Sequence, residues 1–569
     1  MSTRNPNTTS SNRLWTCLIV SALLLVPLLC LGAWLGYKAL ISPEGASIVT
    51  EGDVTLRVGY TPEKETAFRE IVSRFNGSGA KTLQGRSVRV EAVSMDAERM
   101  MAAALAGEVQ AISPDSAVWL TQLDASWRAQ QGLAALQAGT SLVGETTRYA
   151  ISPVVIAMWE DVAHSMGAPD RSIGWSDLMD RARSDPGFRW SHPSTNTASG
   201  LLATLAMFYA GSGKTRGLTQ EDAQAEETLA YVSAVEKTVR YYGEGELAVI
   251  QRALTDGPKF LDAFVVQEQL VIYHNRQASG HRLVAVYPRE GTLWQDHPLV
   301  LLEQPGLTSD LRQAHAALRD YLLSAVAQQF FLEQGYRPAD LSVRLDAPGT
   351  PFTSANGVDP SQPQTTLQIP SSAVIAVVRE AWAYTKRQTN VYLVSDTSGS
   401  MADDNKIGLA RQAMQTFVQQ IPSDQERVGL LTFASEVQEV VPLGELGSNR
   451  AVLDGAIANL AARGNTALLD AVYAAYVKLQ DLKDTERINA IVVMTDGREN
   501  RSRMQLTDLV RRIQAGNAGG VPVVIFCIAY GEDADMQMLR TIAEASGGQA
   551  REGSLETIQE LYKLLSTYF

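Results

Sequence analysis

A multi-part α/β chain is what this sequence predicts, and three observations carry the prediction. From Val54 onward, short apolar runs alternate with amphipathic stretches of helical period, the pattern of right-handed βαβ units feeding parallel sheets. Beyond residue 390, the runs Ile491-Val492-Val493-Met494 and Val523-Val524-Ile525-Phe526 are apolar at every position, as strands covered on both faces must be. At the amino end, Leu14 to Tyr37 is 24 residues without a charge. At about 1.5 Å per residue that length crosses a ~30 Å hydrocarbon layer. A chain of 569 residues also exceeds what one hydrophobic core holds, so two or three domains follow.

The uncharged stretch is read as a retained signal-anchor helix spanning residues 14–37, longer than the apolar part of a cleaved signal peptide. Arg4 and Arg13 precede it, and Glu44, Glu51 and Asp53 follow Lys38. The positive-inside rule then puts residues 1–13 in the cytoplasm and everything after residue 40 outside a cell membrane, in a single pass. A cleaved or lipidated signal is the alternative, with Cys30 as the modified residue, although Leu29 is bulkier than processing prefers.

The net charge is −13, and the +3 of residues 1–40 leaves −16 for the rest. Such an acidic body excludes nucleic acid as a main partner. Cys17, Cys30 and Cys527 suggest no disulfide. The six histidines show no i, i+4 pair, and neither a nucleophile elbow nor a Cys–His signature occurs, so no enzyme is expected. Gly211-Ser212-Gly213-Lys214-Thr215 ends like a phosphate-binding loop, but Phe208 stands where the motif needs glycine. A helix carboxyl cap explains those glycines better.

Strands are predicted at Val54–Tyr60 and Val88–Val93, with helices at Glu63–Phe75 and Ala97–Ala106. Alternation continues to about Tyr336, too long for one sheet, which implies two lobes. Here Ile112-Ser113-Pro114-Asp115-Ser116-Ala117-Val118-Trp119, Ile151 to Met158, His192-Pro193 with Ser199-Gly200, Val286 to Thr292, and Phe331 to Pro338 resemble the extracellular solute-binding proteins of the type II periplasmic-binding-protein fold. The resemblance spans roughly residues 52–360. It implies two lobes joined by crossing strands near Ser152–Ile156 and Leu283–Tyr287, closing on a small solute. Hydroxyls and amides at helix starts hold small anions or polar groups in such a cleft, which makes Thr61, Ser113, Ser116, Ser152, Thr195, Asn196 and Tyr287 the candidate ligand contacts. Each of them would equally serve as a helix cap.

Five prolines between Pro348 and Pro370 mark a loop-rich strip. A helix at Ala373–Tyr384, with Val374, Val377, Val378 and Ala381 on one face, closes the module at residue 385 and hands the chain to the next strand.

From residue 389, strands are predicted at Val391–Ser395, Arg427–Phe433, Ile488–Thr495 and Val521–Ile528. Helices are predicted at Lys406–Gln420, Ala467–Leu479, Thr507–Ala515 and Asp535–Ala545. This is a doubly wound sheet, which binds ligands at the carboxyl ends of its strands. Asp396, Ser398 and Ser400, then Thr466, then Asp496 fall in such loops. Two carboxylates and three hydroxyls are hard oxygen donors, the set preferred by Mg²⁺, with Mn²⁺ or Ca²⁺ as substitutes. Any one of them alone would read as a cap or turn residue; together they point to a metal site. Asp396-Thr397-Ser398-Gly399-Ser400 with Thr466 and Asp496 is similar to the von Willebrand factor A domain with a complete metal-ion-dependent adhesion site, over residues 389–569. The resemblance implies that Ser398 and Ser400 are direct ligands and that Asp396, Thr466 and Asp496 coordinate directly or through water. It also implies that a partner's carboxylate displaces a bound water. Asp470, one helical turn past Thr466, is a candidate to support it without touching the ion.

The whole resembles bacterial substrate-binding and VWA domain-containing proteins. The expected function is a membrane-anchored extracytoplasmic binding protein that grips an acidic group on a protein or surface through the metal. The alternative is a solute receptor for an ABC transporter, with the C-terminal domain as docking module. A cleft filled by the chain's own side chains would favour the first.

Overall fold

The computed structural model describes residues 52–553, apart from 132–139, 244, 279, 341, 422 and 532–533. The expected anchor helix at 14–37 and residues 554–569 lie outside the described residues. Among the described residues no helix is long and apolar enough to cross a membrane.

Three sheets organise the described chain. The first has the order β2-β1-β3-β11-β4, built from β1 (Val54–Tyr60), β2 (Val88–Ser94), β3 (Ala111–Ser113), β4 (Val143–Arg148) and β11 (Pro298–Leu302). Strands β1, β2 and β3 are parallel, while β11 runs antiparallel to β3 and β4. The second follows β10-β5-β8-β6-β7, from β5 (Ala150–Trp159), β6 (Trp190–Pro193), β7 (Tyr242–Gly243), β8 (Ala263–Gln267) and β10 (Trp294–Gln295). Strands β9 (Leu283–Val286) and β12 (Arg337–Pro338) also pair with β5. These sheets are the centres of the two predicted lobes.

The chain crosses from the first lobe to the second through Tyr149, between β4 and β5, close to the expected place. The return does not occur at Leu283–Tyr287. That run is β9, antiparallel to β5 with Leu283 against Trp159, and Leu283 and Val286 are buried in the second lobe's core. The chain goes back instead through Asp296 and His297, between β10 and β11. A turn at Pro288–Gly291, closed by the Gly291 N–H to the Pro288 carbonyl, keeps the chain in the second lobe after β9.

The predicted helix at Ala97–Ala106 has those limits, with Asp96 as its amino cap, accepting from Arg99 N–H. The glycine-rich decoy is a helix end. The helix Ala198–Ser212 stops at Gly213, whose φ of 67° suits glycine, and Lys214 pairs with Asp222 at 2.5 Å.

The third sheet has the order β15-β14-β13-β16-β17-β18: β13 (Thr389–Asp396), β14 (Arg427–Phe433), β15 (Val437–Glu445), β16 (Ile488–Thr495), β17 (Val523–Tyr530) and β18 (Ala550–Gly553). All are parallel except the antiparallel edge strand β15. Alternation along β13 splits its side chains between two cores. Val391 and Leu393 face the helices Lys406–Gln420 and Leu446–Ala458, while Tyr392 and Val394 face Leu468–Asp481, Leu506–Gly519 and Met536–Ala545. The strand β15, the helix Leu446–Ala458 and β18 were not expected. The edge strand is half-exposed, carries Pro442 and Gly444, and is bulged against β14, so it has neither a continuous apolar run nor clean alternation.

The helix Ser372–Thr385 joins the modules rigidly. Its Val374, Ile375, Val378 and Trp382 belong to one apolar core continuous from the second lobe to the C-terminal sheet. Beneath it, Glu236 accepts from Trp382 Nε1 at 2.8 Å and from the Tyr242 hydroxyl at 2.8 Å. Lys386 Nζ then pairs with Glu426 at 2.6 Å, and both side chains are almost wholly buried. The other oxygen of Glu426 accepts from the Thr389 backbone and hydroxyl, fixing the first residue of β13. Buried polar atoms satisfied in this way leave little room for the two modules to swing.

Candidate metal centre

Three loops at the carboxyl edge of the third sheet bring the five oxygen-bearing residues together. Strand β13 delivers Asp396, fully buried. One carboxylate oxygen accepts the Ser398 N–H at 2.7 Å and the other the Thr495 hydroxyl at 2.5 Å. The Ser398 and Ser400 hydroxyls are 3.1 Å apart, and Ser400 donates to Asp496 Oδ1 at 2.9 Å. Thr466 closes the ring. A Cβ on Gly497 would lie 3.2 Å from the Thr466 hydroxyl and 3.5 Å from that of Ser400, so both hydroxyls crowd the one position where a side chain is missing.

The loops are tied to each other, not only to the sheet. Gly399 donates to the Gly464 carbonyl at 3.0 Å and Arg463 to the Thr397 carbonyl at 2.7 Å. Gly464 has φ of +85°, and a Cβ there would meet Ser435 Oγ at 2.8 Å, so only glycine fits. Asn500 locks the third loop to the second by accepting from Thr466 N–H at 2.9 Å and donating its own N–H to the Thr466 carbonyl. Asp470 holds the third loop by accepting from the Arg503 and Met504 N–H groups. Glu499 adds bonds to Leu469, Arg501 and Ser502.

Three contributors escaped the sequence: Thr495, Asn500 and Lys406. Lys406 Nζ sits 2.8 Å from Asp496 Oδ2. It stands at the start of a helix ten residues after Asp396, and no spacing rule links it to a residue 90 positions away.

The charges are unbalanced. Two buried carboxylates face one ammonium, and burial pushes Asp396 up to about 6. Among the described residues no group of three or more His, Cys, Asp or Glu could hold a metal, so hydroxyls must complete any shell here. A residual negative charge with hard oxygen donors, Ser400 half-open to solvent, fits a hard divalent cation.

The seven solute-contact candidates do not form one site. Thr61 donates to Asp115, Ser113 bonds Tyr149 at 2.8 Å, and Ser116 accepts from Val118 N–H; these three line the first lobe's side of the cleft. Ser152 caps the helix Glu268–Gln277 through Gln269 N–H. Tyr287 bonds Glu268, which also holds Arg337 by two bonds of 2.7 Å. Thr195 is buried, and Asn196 is exposed and accepts from Arg379. The cleft centre is filled instead by Glu63, Lys64, Asp115, Glu246, Gln267, Gln295 and His297. Of these only Asp115 lies in a run the sequence singled out, and it was not taken as a ligand contact.

Comparison with known proteins agrees with both modules. The model for bacterial extracellular solute-binding protein matches residues 56–337, and that for von Willebrand factor type A domain matches residues 390–563. The chain is thus a protein of binding-type modules, an extracellular solute-binding domain followed by a von Willebrand factor type A domain. Among curated relatives, the uncharacterized protein YfbK of Escherichia coli (strain K12) is 24% identical over 179 residues, 32% of this chain and 30% of that protein. Calcium-activated chloride channel regulator 1 of Macaca mulatta is 35% identical over 115 residues, 20% of this chain and 12% of that protein. The chain therefore spans under a third of the length of these relatives. Among solved structures, the periplasmic binding protein P5PA shares 13% identity over 58% of this chain and 99% of its own, with a TM-score of 0.40. The sulfate-binding protein SubI from Mycobacterium tuberculosis H37Rv shares 17% over 51% of this chain and 88% of its own, with a TM-score of 0.36. The von Willebrand factor type A protein from Catenulispora acidiphila shares 23% over 32% and 43%, with a TM-score of 0.28.

Proposed function

We propose that this chain is a non-catalytic, extracytoplasmic binding protein, held at a membrane by residues 14–37, whose C-terminal domain captures an acidic group of a protein or surface partner. Asp396, Ser398, Ser400, Thr466 and Asp496 would hold a divalent ion, Mg²⁺ first, and the partner's carboxylate would take a position that water otherwise fills. The observation that carries this is the convergence of those five residues from three interlocked loops, with Ser400 alone half-open to solvent. Neutral hydroxyls in the shell leave the ion with charge to attract an anion.

The surroundings support an acidic partner. Arg463, Arg498, Arg501 and Arg503 are all exposed in the second and third loops, and none enters an ion pair among the described residues. On a chain of net charge −13 this is a local reversal of sign, although Asp403 and Asp404 oppose it beside the first loop.

A random peptide library selected on the immobilised full chain tests the proposal. Binders recovered with Mg²⁺ should be rich in Asp and Glu and should be lost in EDTA or on Asp396→Ala with Ser398→Ala. Binders lacking carboxylates, or indifferent to EDTA and to the double substitution, would end it.

A further inference from the structure

The cleft between the lobes holds more negative than positive charge, and the amide donors beside Glu246 are already taken. Glu246, at the first turn of the helix Glu246–Asp256, accepts the Gln267 N–H at 2.6 Å and the Gln295 side-chain amide. Its carboxylate thus lies where a bound anion would, on an amide donor and at a helix amino end. Asp115 takes the Thr61 hydroxyl and lies 3.5 Å from Lys64 Nζ. Glu63 reaches across from the first lobe; a Cβ on Gly245, the residue before Glu246, would lie 3.0 Å from Glu63 Oε1.

Against these three carboxylates stands one cation. Lys64 is only 3% exposed and is spent on the Pro114 carbonyl at 2.8 Å, Ser113 at 3.3 Å and His297 Nδ1 at 3.3 Å. His297 supplies no charge, because burial and Lys64 hold it well below its ordinary range. Arg148 is engaged by Asp296 at 3.0 Å, and the remaining neighbours, Tyr149 and Tyr336, are buried phenols pushed up by burial. With every carboxyl ionised the cluster would carry two uncompensated negative charges, which burial makes costly. A second observation is independent of charge. Gln295 is wholly buried, its amide lies on Glu246, and its Oε1 has no hydrogen-bond partner, an acceptor that awaits a donor. A cavity of about 40 Å³ adjoins Glu63, Glu65 and Lys64 and reaches Leu247, next to Glu246 in the chain, and Tyr336. That is room for a group somewhat larger than one water.

We propose that the inter-lobe cleft takes the ammonium group of a small organic amine, not an anion. One positive charge and three N–H donors complement Glu63, Glu246 and Gln295 Oε1. A phosphate or sulfate would meet like charges there, and the amides beside Glu246 are already given to its carboxylate, although the Gln267 side-chain nitrogen is without a partner. Without the amine, protons must serve. Burial together with Asp115 raises both Glu63 and Glu246 above the usual carboxylate range, Glu246 to about 7. Amine binding near neutral pH therefore releases protons. This rests on the match of residues 56–337 to a solute-binding domain and not on the metal site.

Calorimetry of the full chain in EDTA, which silences the metal site, tests it with methylammonium, ethanolamine and putrescine against sulfate and phosphate. At least one amine should bind at pH 8 with a dissociation constant below about 1 mM, and neither anion should. Glu63→Gln with Glu246→Gln should weaken the amine at least tenfold while circular dichroism stays unchanged. If that variant fails to fold, the wild type decides alone: at pH 6.5, in buffers of different ionisation enthalpy, amine binding should release a proton. Binding of an anion in place of amines, binding of no probe, or amine binding without proton release each overturns the proposal.

Discussion

Replacing Glu426 by glutamine removes the charge paired with a buried ammonium and measures how firmly the two modules are joined. Lys386 and Glu426 pair at 2.6 Å with side chains 2% and 0% exposed, so water cannot take over when the charge goes. Removing one partner of such a pair typically costs about 3–5 kcal/mol. Two features move this case to the lower end. Lys386 lies over the rings of Tyr242 and Trp382 at 5.8 and 5.9 Å, and the glutamine oxygen can still accept from Thr389. The expected cost is therefore about 3 kcal/mol. Lys386→Met with Glu426→Gln removes both charges and should cost clearly less than the single change. Urea unfolding followed by tryptophan fluorescence is the assay, since Trp382 lies beside the pair and residues 390–569 contain no tryptophan. Circular dichroism, followed in parallel, should lose its coincidence with fluorescence in the single variant as the modules uncouple. A loss under 1 kcal/mol, or a double variant less stable than the single one, would refute a junction held by a buried ion pair.

Two further outcomes follow from the geometry. Thr495→Val deletes the hydroxyl that orients Asp396 while keeping the strand's shape, and should weaken Mg²⁺ binding by about 10–100-fold with little change in melting temperature; unchanged affinity in a metal titration would remove Thr495 from the site. Without solute, stability should fall as pH rises. Glu246 titrates near 7 in the folded chain against 4.5 ordinarily. Its contribution is thus complete below about 4.5 and lost as pH passes 7, at most about 3 kcal/mol. Melting curves from pH 4.5 to 8 should flatten in Glu246→Gln, and an equal slope in both proteins would show that another group is responsible.

How much the sequence revealed depended on how local the physics was. The limits of β14, β16 and the helix Lys406–Gln420 follow from apolar runs and turn residues within a few positions, and the structure has them where they were expected. The five oxygen donors were legible for the same reason, as acidic and hydroxyl turns at strand ends. Lys406 and Thr495 were not, because each acts on a carboxylate about a hundred residues away. In the cleft, the hydroxyls singled out as solute contacts turned out to cap helices or bond neighbours. The charged residues that fill the centre come from both lobes and meet only on folding. The return crossing was misplaced because β9 is a longer apolar run than the two-residue β10 that precedes the true connection. Only the pairing of β11 with β3 and β4 of the first sheet marks the true return.

The metal site itself is tested most directly by calorimetric titration of Mg²⁺ into the metal-stripped full chain and into the Asp396→Ala, Ser398→Ala variant. One ion per chain should bind the wild type and none the variant, with both proteins equally folded. A wild type that binds no divalent ion, or a variant that binds it as tightly, would contradict the assignment of these five residues as a metal centre.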